Sequence, residues 1–471
     1  MTEDKAKEGR ISGRFTKRSK FDIPAESAFN WHERDGAIER LSPPWDPIRV
    51  IHKSGGIQPG ATVVLGMQEG PYKYKWHAKH TDFEQNKLFR DEMVKGPLSS
   101  WVHTHRFETL SENQSVLEDT IEYKPYFSSI SQFLADHFVQ KKLSRIFDWR
   151  HRTTEADLAI HARFQHLPRK KILISGASGV LGQKLIPFFK TGGHSVLTLV
   201  RRTPKDDSEI FWDPAKGTLN PADFEGVDAI IHLSGENVGE GRWTKDKKRR
   251  IIESRLSTTG LLARTAAALS PKPGVFISAS ATGYYGDCGS DIATEDRPAG
   301  SGFLASVCKQ WEDATQPAAE SGIRTVLMRI GVVLTPEGGA LQKYLLPYKL
   351  GLGGRIGPGS QYISWIGIDD ALAAFYWSLM SEDITGPINV VSPNPATYIE
   401  FSKTLASVLS RPAFIPLPSF LIKLLFGQMG VEGILHSTRT LPDRLTKSGF
   451  YFRHPTLEEV FRHVLGKQRS A

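Results

Sequence analysis

A short apolar run, Ile172-Leu173-Ile174, leads into three glycines spaced three apart, Gly176, Gly179 and Gly182. A helical pattern follows at once through Leu181, Leu185, Phe188 and Phe189, and Gly193-His194 turns into a second apolar run, Ser195 to Val200. Strand, glycine turn, helix and strand within about 30 residues form the setting a dinucleotide-binding fingerprint requires. Glycines permit the tight turn and let backbone N–H groups approach a pyrophosphate, which then faces the unpaired donors and positive dipole end of the helix. Gly176, Ser178, Gly179, Val180, Leu181 and Gly182 are therefore the expected phosphate cradle. A bare structural turn is the competing reading; the agreement of glycine spacing with both flanking elements decides against it. The motif begins near residue 170, so a separate segment precedes it.

The chain has 471 residues, which suggests about two or three domains. A hydrophobic share of 39% with 24% charged residues reads as globular and soluble. Two cysteines, Cys288 and Cys308, exclude a disulfide scaffold and fit a reducing cytoplasm, the expected location. The first residues are polar and basic with no apolar core, unlike a secretory signal. No apolar run reaches membrane-spanning length. The nearest approach, 414–426, contains Pro416, Pro418 and Lys423 and reads as an amphipathic packing surface. The net charge of +9 is dispersed, without a nucleic-acid-binding motif, so a solvated surface is the better reading and no nucleic-acid partner is expected.

Residues 1 to about 10 read as disordered. Phe15–Phe21 then alternates as a half-buried strand does, and Pro24–His32 reads as a short helix opened by proline. Alternating segments follow at 48–52, 62–67, 72–80, 83–93, 99–108 and 115–123, the pattern of an antiparallel sheet. Residues 130–165 read as one long helix or a pair. Strand, helix, a run of strands and a closing helix describe an α+β helix-grip domain over 11–165. The stretch Phe21–Ala28 with Glu39–Trp45 resembles SRPBCC-like (START/polyketide-cyclase type) domains, which implies a pocket for an apolar, lipid-like small molecule. His103 and His105 share one side of a strand, but two ligands are too few for a metal, and ordinary polar-face histidines are expected. The linker, 164–170, is short.

Arg201-Arg202 ends the second strand of the nucleotide-binding segment, about 20 residues after the last glycine, where an acidic residue would hold a ribose 2′-OH and arginine accommodates a 2′-phosphate. NADP is accordingly the expected cofactor; a solvated pair of charges is the alternative. The strand 229–233 ends in Leu233-Ser234-Gly235, at the sheet edge across which a cofactor lies. Arg255, on the helix that follows, either reaches the cofactor or is a surface charge.

The glycine fingerprint, the Ser278–Gly286 segment (SASATGYYG), Arg329–Leu334 and Trp365–Asp370 occur in the order found in extended short-chain dehydrogenase/reductases. More narrowly, the chain resembles the atypical epimerase family that includes the human 39U member, a match supported by Gly338–Leu341 and Leu350–Gly354. Leu441–Leu445 and Gly449–Leu457 resemble that family's C-terminal DUF1731-like domain. The resemblance implies an α/β, NAD(P)-binding Rossmann fold of extended type over 170–395, a small domain over 396–467, and Val332 among the cofactor contacts. It also implies a hydroxyl to polarise substrate, a role Ser280 can fill, and a Tyr-x-x-x-Lys dyad. Anchoring on Glu312 places Leu304 and Cys308 where that dyad belongs, so it is absent. Tyr284 or Tyr285 either substitutes as proton donor or packs beside the nicotinamide. Gly367 stands where the family commonly has His, and Asp370 is expected to cap the helix that begins at Ala371. The implied function is an NADP(H)-dependent oxidoreductase or sugar-epimerase-like enzyme on a small-molecule substrate. The alternative is an NADP(H)-holding sensor that binds an apolar ligand and does no hydride chemistry.

Overall fold

The computed structural model describes residues 13–126 and 131–467; the expectation of disorder before about residue 10 lies outside them. The chain forms two compact units, 1–166 with 190–193 and 167–189 with 194–471.

The first unit runs β1 (Gly13–Phe21), α1 (Ala25–Glu33), α2 (Ala37–Arg40), β2 (Arg49–Ser54), β3 (Thr62–Glu69), β4 (Tyr72–Glu84), β5 (Leu88–Lys95), β6 (Ser100–Ser111), β7 (Gln114–Lys124) and α3 (Ser131–Arg163). Its seven strands pair in the order β1-β7-β6-β5-β4-β3-β2. Consecutive strands from β2 onward are antiparallel neighbours, and β1 returns beside β7, pairing Gly13 with Tyr123 and Phe21 with Ser115. The closing helical stretch is one 33-residue helix. Its Leu143 and Phe147 pack on Phe15, Ile121 and Tyr123, while Phe29 and Trp31 of α1 join Phe89, Phe107, Leu117 and Leu158. Arg40 clamps α2 to α3 through a two-pronged, buried ion pair with Asp157 (Nε–Oδ2 2.8 Å, Nη2–Oδ1 2.6 Å). The planar fork matches the carboxylate, so both charges remain hydrogen-bonded away from water.

The main sheet of the second unit is built from β8 (Lys171–Ser175), β9 (Ser195–Val200), β10 (Glu209–Phe211), β11 (Ala229–His232), β12 (Val275–Ala281), β13 (Arg324–Ile330) and β14 (Gly386–Val390). They form one parallel sheet in the order β10-β9-β8-β11-β12-β13-β14. This is the doubly wound α/β arrangement, with its order reversing between β8 and β11. Ala229–His232 is buried throughout and Val275–Ala281 nearly so, as expected of strands covered on both faces by helices. The flanking helices that matter for the site are α4 (Val180–Thr191), α5 (Lys245–Ala268) and α6 (Phe303–Asp313).

Two sequence expectations are corrected here. Asp370 does not cap its own helix, Ile368–Met380, which has no side-chain cap. It instead accepts the backbone N–H groups of Arg453 (2.8 Å) and His454 (3.0 Å), tying down the C-terminal segment, and burial raises its carboxyl to about 6. In the stretch 414–426, Ile422 is buried, but Phe414, Phe420, Leu424 and Leu425 are exposed rather than packed. No helix among the described residues is long and apolar enough to cross a membrane.

Candidate functional site

The glycine turn is built so that backbone replaces side chain. Gly176 has φ +75°, and a Cβ there would lie 2.8 Å from the Leu233 carbonyl carbon. A Cβ on Gly182 would lie 2.5 Å from the Gly176 oxygen and 2.8 Å from the Ala177 Cα. The turn, the first turn of α4 and the end of β11 therefore nest against one another with no room for a methyl group. His232 locks the same edge: Ser175 Oγ lies 2.6 Å from its Nδ1 and Thr259 Oγ1 2.9 Å from its Nε2. Burial, helped by the Arg255 charge, lowers this imidazole to about 3, so it is a neutral brace. Ser178 and Gly179 stay exposed; Gly179 opens α4 by accepting the Gln183 N–H (2.9 Å), while its own N–H closes the turn on the Gly176 oxygen (3.0 Å). Exposed helix-start N–H groups held by glycines fit a pyrophosphate.

The two arginines after β9 differ. Arg202 is held two-pronged by Glu209 of β10 (Nη1–Oε2 2.6 Å), which draws the Glu209 carboxyl down to about 2. Arg201 is exposed and makes no side-chain hydrogen bond or ion pair among the described residues. Arg255 is buried, which removes the surface-charge reading. Its guanidinium packs on Gly235, stacks 4.7 Å over Trp311 and donates to the Glu236 and Ile251 carbonyls (3.1 Å each). Leu233 and Ser234 are half-buried beside Gly176, and Val332 is half-buried, its N–H donating to the Ser364 carbonyl (2.8 Å).

The residues assigned to chemistry are tied into a buried polar chain instead. Ser280 Oγ donates to Glu312 Oε1 (2.6 Å), and Glu312 takes Arg329 in a fork (Nε–Oε1 2.9 Å, Nη2–Oε2 2.8 Å). Arg329 Nη1 donates to the Tyr285 hydroxyl (3.0 Å), which donates to Asn389 Oδ1 (2.7 Å). Burial pushes the Tyr285 phenol up to about 12 despite the adjacent guanidinium. Tyr285 is 1% exposed and its hydroxyl is used in both directions, accepting from Arg329 and donating to Asn389. Ser280 is 3% exposed, with its proton on Glu312. Tyr284 alone of the three is only half-buried, with the Arg329 guanidinium 3.5 Å over its ring. We expect Tyr285→Phe to lower the thermal midpoint, because Arg329 and Asn389 each lose a buried partner at about 1–3 kcal/mol, and to leave NADPH affinity within twofold. Thermal denaturation with a fluorescence titration checks both parts.

Sequence reasoning missed what sits at the start of α6. Glu432 accepts the backbone N–H groups of Phe303 (3.1 Å) and Leu304 (2.8 Å), a carboxylate cap on the positive end of the helix. The cap lies beside Leu304, where the resemblance calls for a tyrosine. Cys308, one turn on, is buried and its thiol is raised to about 12 by that burial, the opposite of an activated nucleophile.

The first unit contains a cavity of about 480 Å³. Leu65, Met67, Trp76, Phe89, Trp101 and Phe147 supply apolar wall, and Asp91, His103, His105 and Arg150 line one polar region. Asp119 lies behind that region, bonded to His103 Nε2 (2.9 Å) and His151 Nε2 (2.6 Å).

The profile of the NAD dependent epimerase/dehydratase family matches residues 172–390, and that of a domain of unknown function, DUF1731, matches 417–464. The chain is 38% identical over 293 residues to the epimerase family protein Mb2239 of Mycobacterium bovis, covering 62% of this chain and 97% of that protein. The chain belongs to this epimerase family. Two solved structures extend the comparison. A nucleoside-diphosphate sugar epimerase from Corynebacterium glutamicum aligns over 97% of this chain and 91% of its own, with a TM-score of 0.80 at 30% identity. That coverage takes in both units. Human epimerase family protein SDR39U1, solved with NADPH, aligns over 63% of this chain and 99% of its own, with a TM-score of 0.58 at 32% identity. The family's Rossmann-type sheet is thus the second unit, and the glycine turn, Arg201 and Arg255 lie at one edge of it.

Proposed function

We propose that this epimerase-family chain holds NADP(H) on its second unit and acts as an NADP(H)-dependent oxidoreductase or epimerase-like protein on a small molecule. The observation that carries the reading is Arg201: a guanidinium left without an internal partner among the described residues at the end of β9, where a 2′-phosphate belongs, on the same sheet edge as a turn in which a Cβ on Gly176 or Gly182 has no room. The human relative solved with NADPH supports it. The bound nicotinamide supplies or accepts a hydride. The chain's own residues hold the pyrophosphate at Gly176–Gly182, offer Arg201 to the 2′-phosphate, and shape the nicotinamide end with Tyr284 and Val332.

A second reading is favoured by a specific observation. Ser280 and Tyr285 spend their hydroxyls on Glu312 and Asn389, and Leu304 and Cys308 stand in place of a proton-transferring dyad. A protein of that kind holds NADP(H) and senses an apolar ligand in its helix-grip-like first unit, without hydride transfer. Identifying the co-purified nucleotide and following A340 against a carbonyl panel separates the two: stoichiometric NADPH that no substrate oxidises favours the sensor. We expect Arg201→Asp to weaken NADPH binding about 10-fold or more and to leave NADH unchanged, since a charge-assisted contact is worth about 1.5–3 kcal/mol. Equal losses for both nucleotides in isothermal titration would remove Arg201 from the site.

A further inference from the structure

The polar wall of the first unit's cavity contains a second arrangement of chemistry-bearing side chains, independent of the nucleotide site. It follows from strand register. His103 and His105 are two apart on β6 and so share a face. Asp91 on β5 is the cross-strand partner of His103, and Asp119 on β7 is the cross-strand partner of His105. The two histidines therefore stand between two carboxylates, one at the cavity wall and one behind it.

We propose that Asp91, His103 and His105 bind one divalent transition-metal ion at the polar wall of this cavity. Their ligand atoms lie within 4.8 Å of one another, the one such His/Cys/Asp/Glu group among the described residues. His103 Nδ1 is 3.6 Å and His105 Nε2 is 3.9 Å from Asp91 Oδ2. These distances are too long for hydrogen bonds. They are close to the separation of about 3.4 Å between donors that share a tetrahedral ion at metal–ligand bonds of about 2.1 Å.

One opposite nitrogen is already committed: His103 Nε2 is hydrogen-bonded to Asp119 Oδ1 at 2.9 Å, while His151 Nε2 holds the other Asp119 oxygen at 2.6 Å. His105 Nδ1 lies 2.5 Å from Asp119 Oδ1 without hydrogen-bonding geometry. Asp119 Oδ1 takes the His103 Nε2 proton, which leaves His103 Nδ1 as the acceptor facing Asp91. His103 Nδ1 and His105 Nε2 both face Asp91 Oδ2 beyond hydrogen-bonding distance, an arrangement that a cation between them completes. A carboxylate that orients ligating histidines from behind is the usual support of a metal site. Arg150, the nearby cation, stacks 5.0 Å over Phe147 and donates to the Leu41 carbonyl (2.9 Å). A further nitrogen is adjacent: His80 is the cross-strand partner of Asp91, and its buried Nδ1 has no hydrogen-bond partner among the described residues. Two imidazoles and one carboxylate suit zinc or ferrous iron and leave coordination positions open toward the cavity.

The test uses the full chain, stripped with EDTA and titrated with Co²⁺ while visible d–d absorption is recorded; metal content is then measured after desalting. We expect one Co²⁺ per chain, displaced by Zn²⁺. Asp91→Asn, which changes a single atom, should weaken uptake at least tenfold, and His103→Gln should do the same. NADPH affinity and far-UV circular dichroism should stay at wild-type values in both variants. A wild-type chain that takes up no saturable Co²⁺ overturns the proposal, as does uptake by Asp91→Asn equal to wild type.

Discussion

Gly182→Ala is expected to weaken NADPH binding by up to about 100-fold. The added methyl would sit 2.5 Å from the Gly176 oxygen and 2.8 Å from the Ala177 Cα, both backbone atoms that no rotamer change can move. To admit it, the turn must open away from α4, and the donors at the helix start then lose their alignment. Overpacking of this kind costs about 1–3 kcal/mol, and each 1.4 kcal/mol is a factor of ten in affinity. The loss arises from the cradle itself, so NADH should suffer as much as NADPH, which separates this variant from Arg201→Asp. Gly274→Ala is the control: its Cβ would meet only the Asp228 oxygen at 3.7 Å, an ordinary contact, and affinity should not change. Fluorescence titration of both variants with both nucleotides checks the pattern; a Gly182→Ala chain that binds like wild type would show that the turn does not cradle the pyrophosphate.

The parts of this molecule that were legible in the sequence are those encoded locally. Ile172–Gly182 carries its own strand, turn and helix start, so the nucleotide edge could be placed before any contact was known. The alternating segments of the first unit likewise announced strands. What could not be read was set by partners distant in sequence. Glu432 caps a helix start 128 residues away at Leu304, from a segment with no motif of its own. Asp91 joins His103 only through the cross-strand pairing of β5 with β6. His103 and His105 could be seen as a same-face pair, yet the third ligand and the carboxylate behind them belong to other strands. Asp370 looked like a helix cap because its neighbours in sequence suggested one; the backbone N–H groups of Arg453 and His454 take it instead. Ser280 was chosen on the resemblance of the Ser278–Gly286 segment, and it lies at the end of β12. Its proton goes elsewhere because Glu312, recognised only as a helix marker, turns inward with a buried arginine to neutralise.

That inward ion pair yields the second large effect. Glu312→Ala should destabilise the chain by about 3–5 kcal/mol, the usual consequence of leaving one member of a buried pair alone. Both side chains are nearly inaccessible, at 8% for Glu312 and 4% for Arg329. Burial works against the Arg329 charge, and Glu312, with the Tyr285 hydroxyl, more than restores it, holding the guanidinium above its ordinary value. Without the carboxylate that charge retains only Tyr285, the Glu295 carbonyl and the faces of two tyrosine rings. The thermal midpoint of the second unit should fall by roughly 10 °C, read by calorimetry. Replacing both partners, Glu312→Leu with Arg329→Met, should recover most of the loss, because no orphan charge remains and the apolar volume is kept. The pair of variants also decides what Ser280 is for. If the buried chain is structural, A340 turnover, where present, follows the folded fraction in both. If Glu312 instead restrains a catalytic Ser280, the double variant regains stability while turnover departs from the folded fraction, since the hydroxyl has lost its acceptor and can turn toward a substrate oxygen.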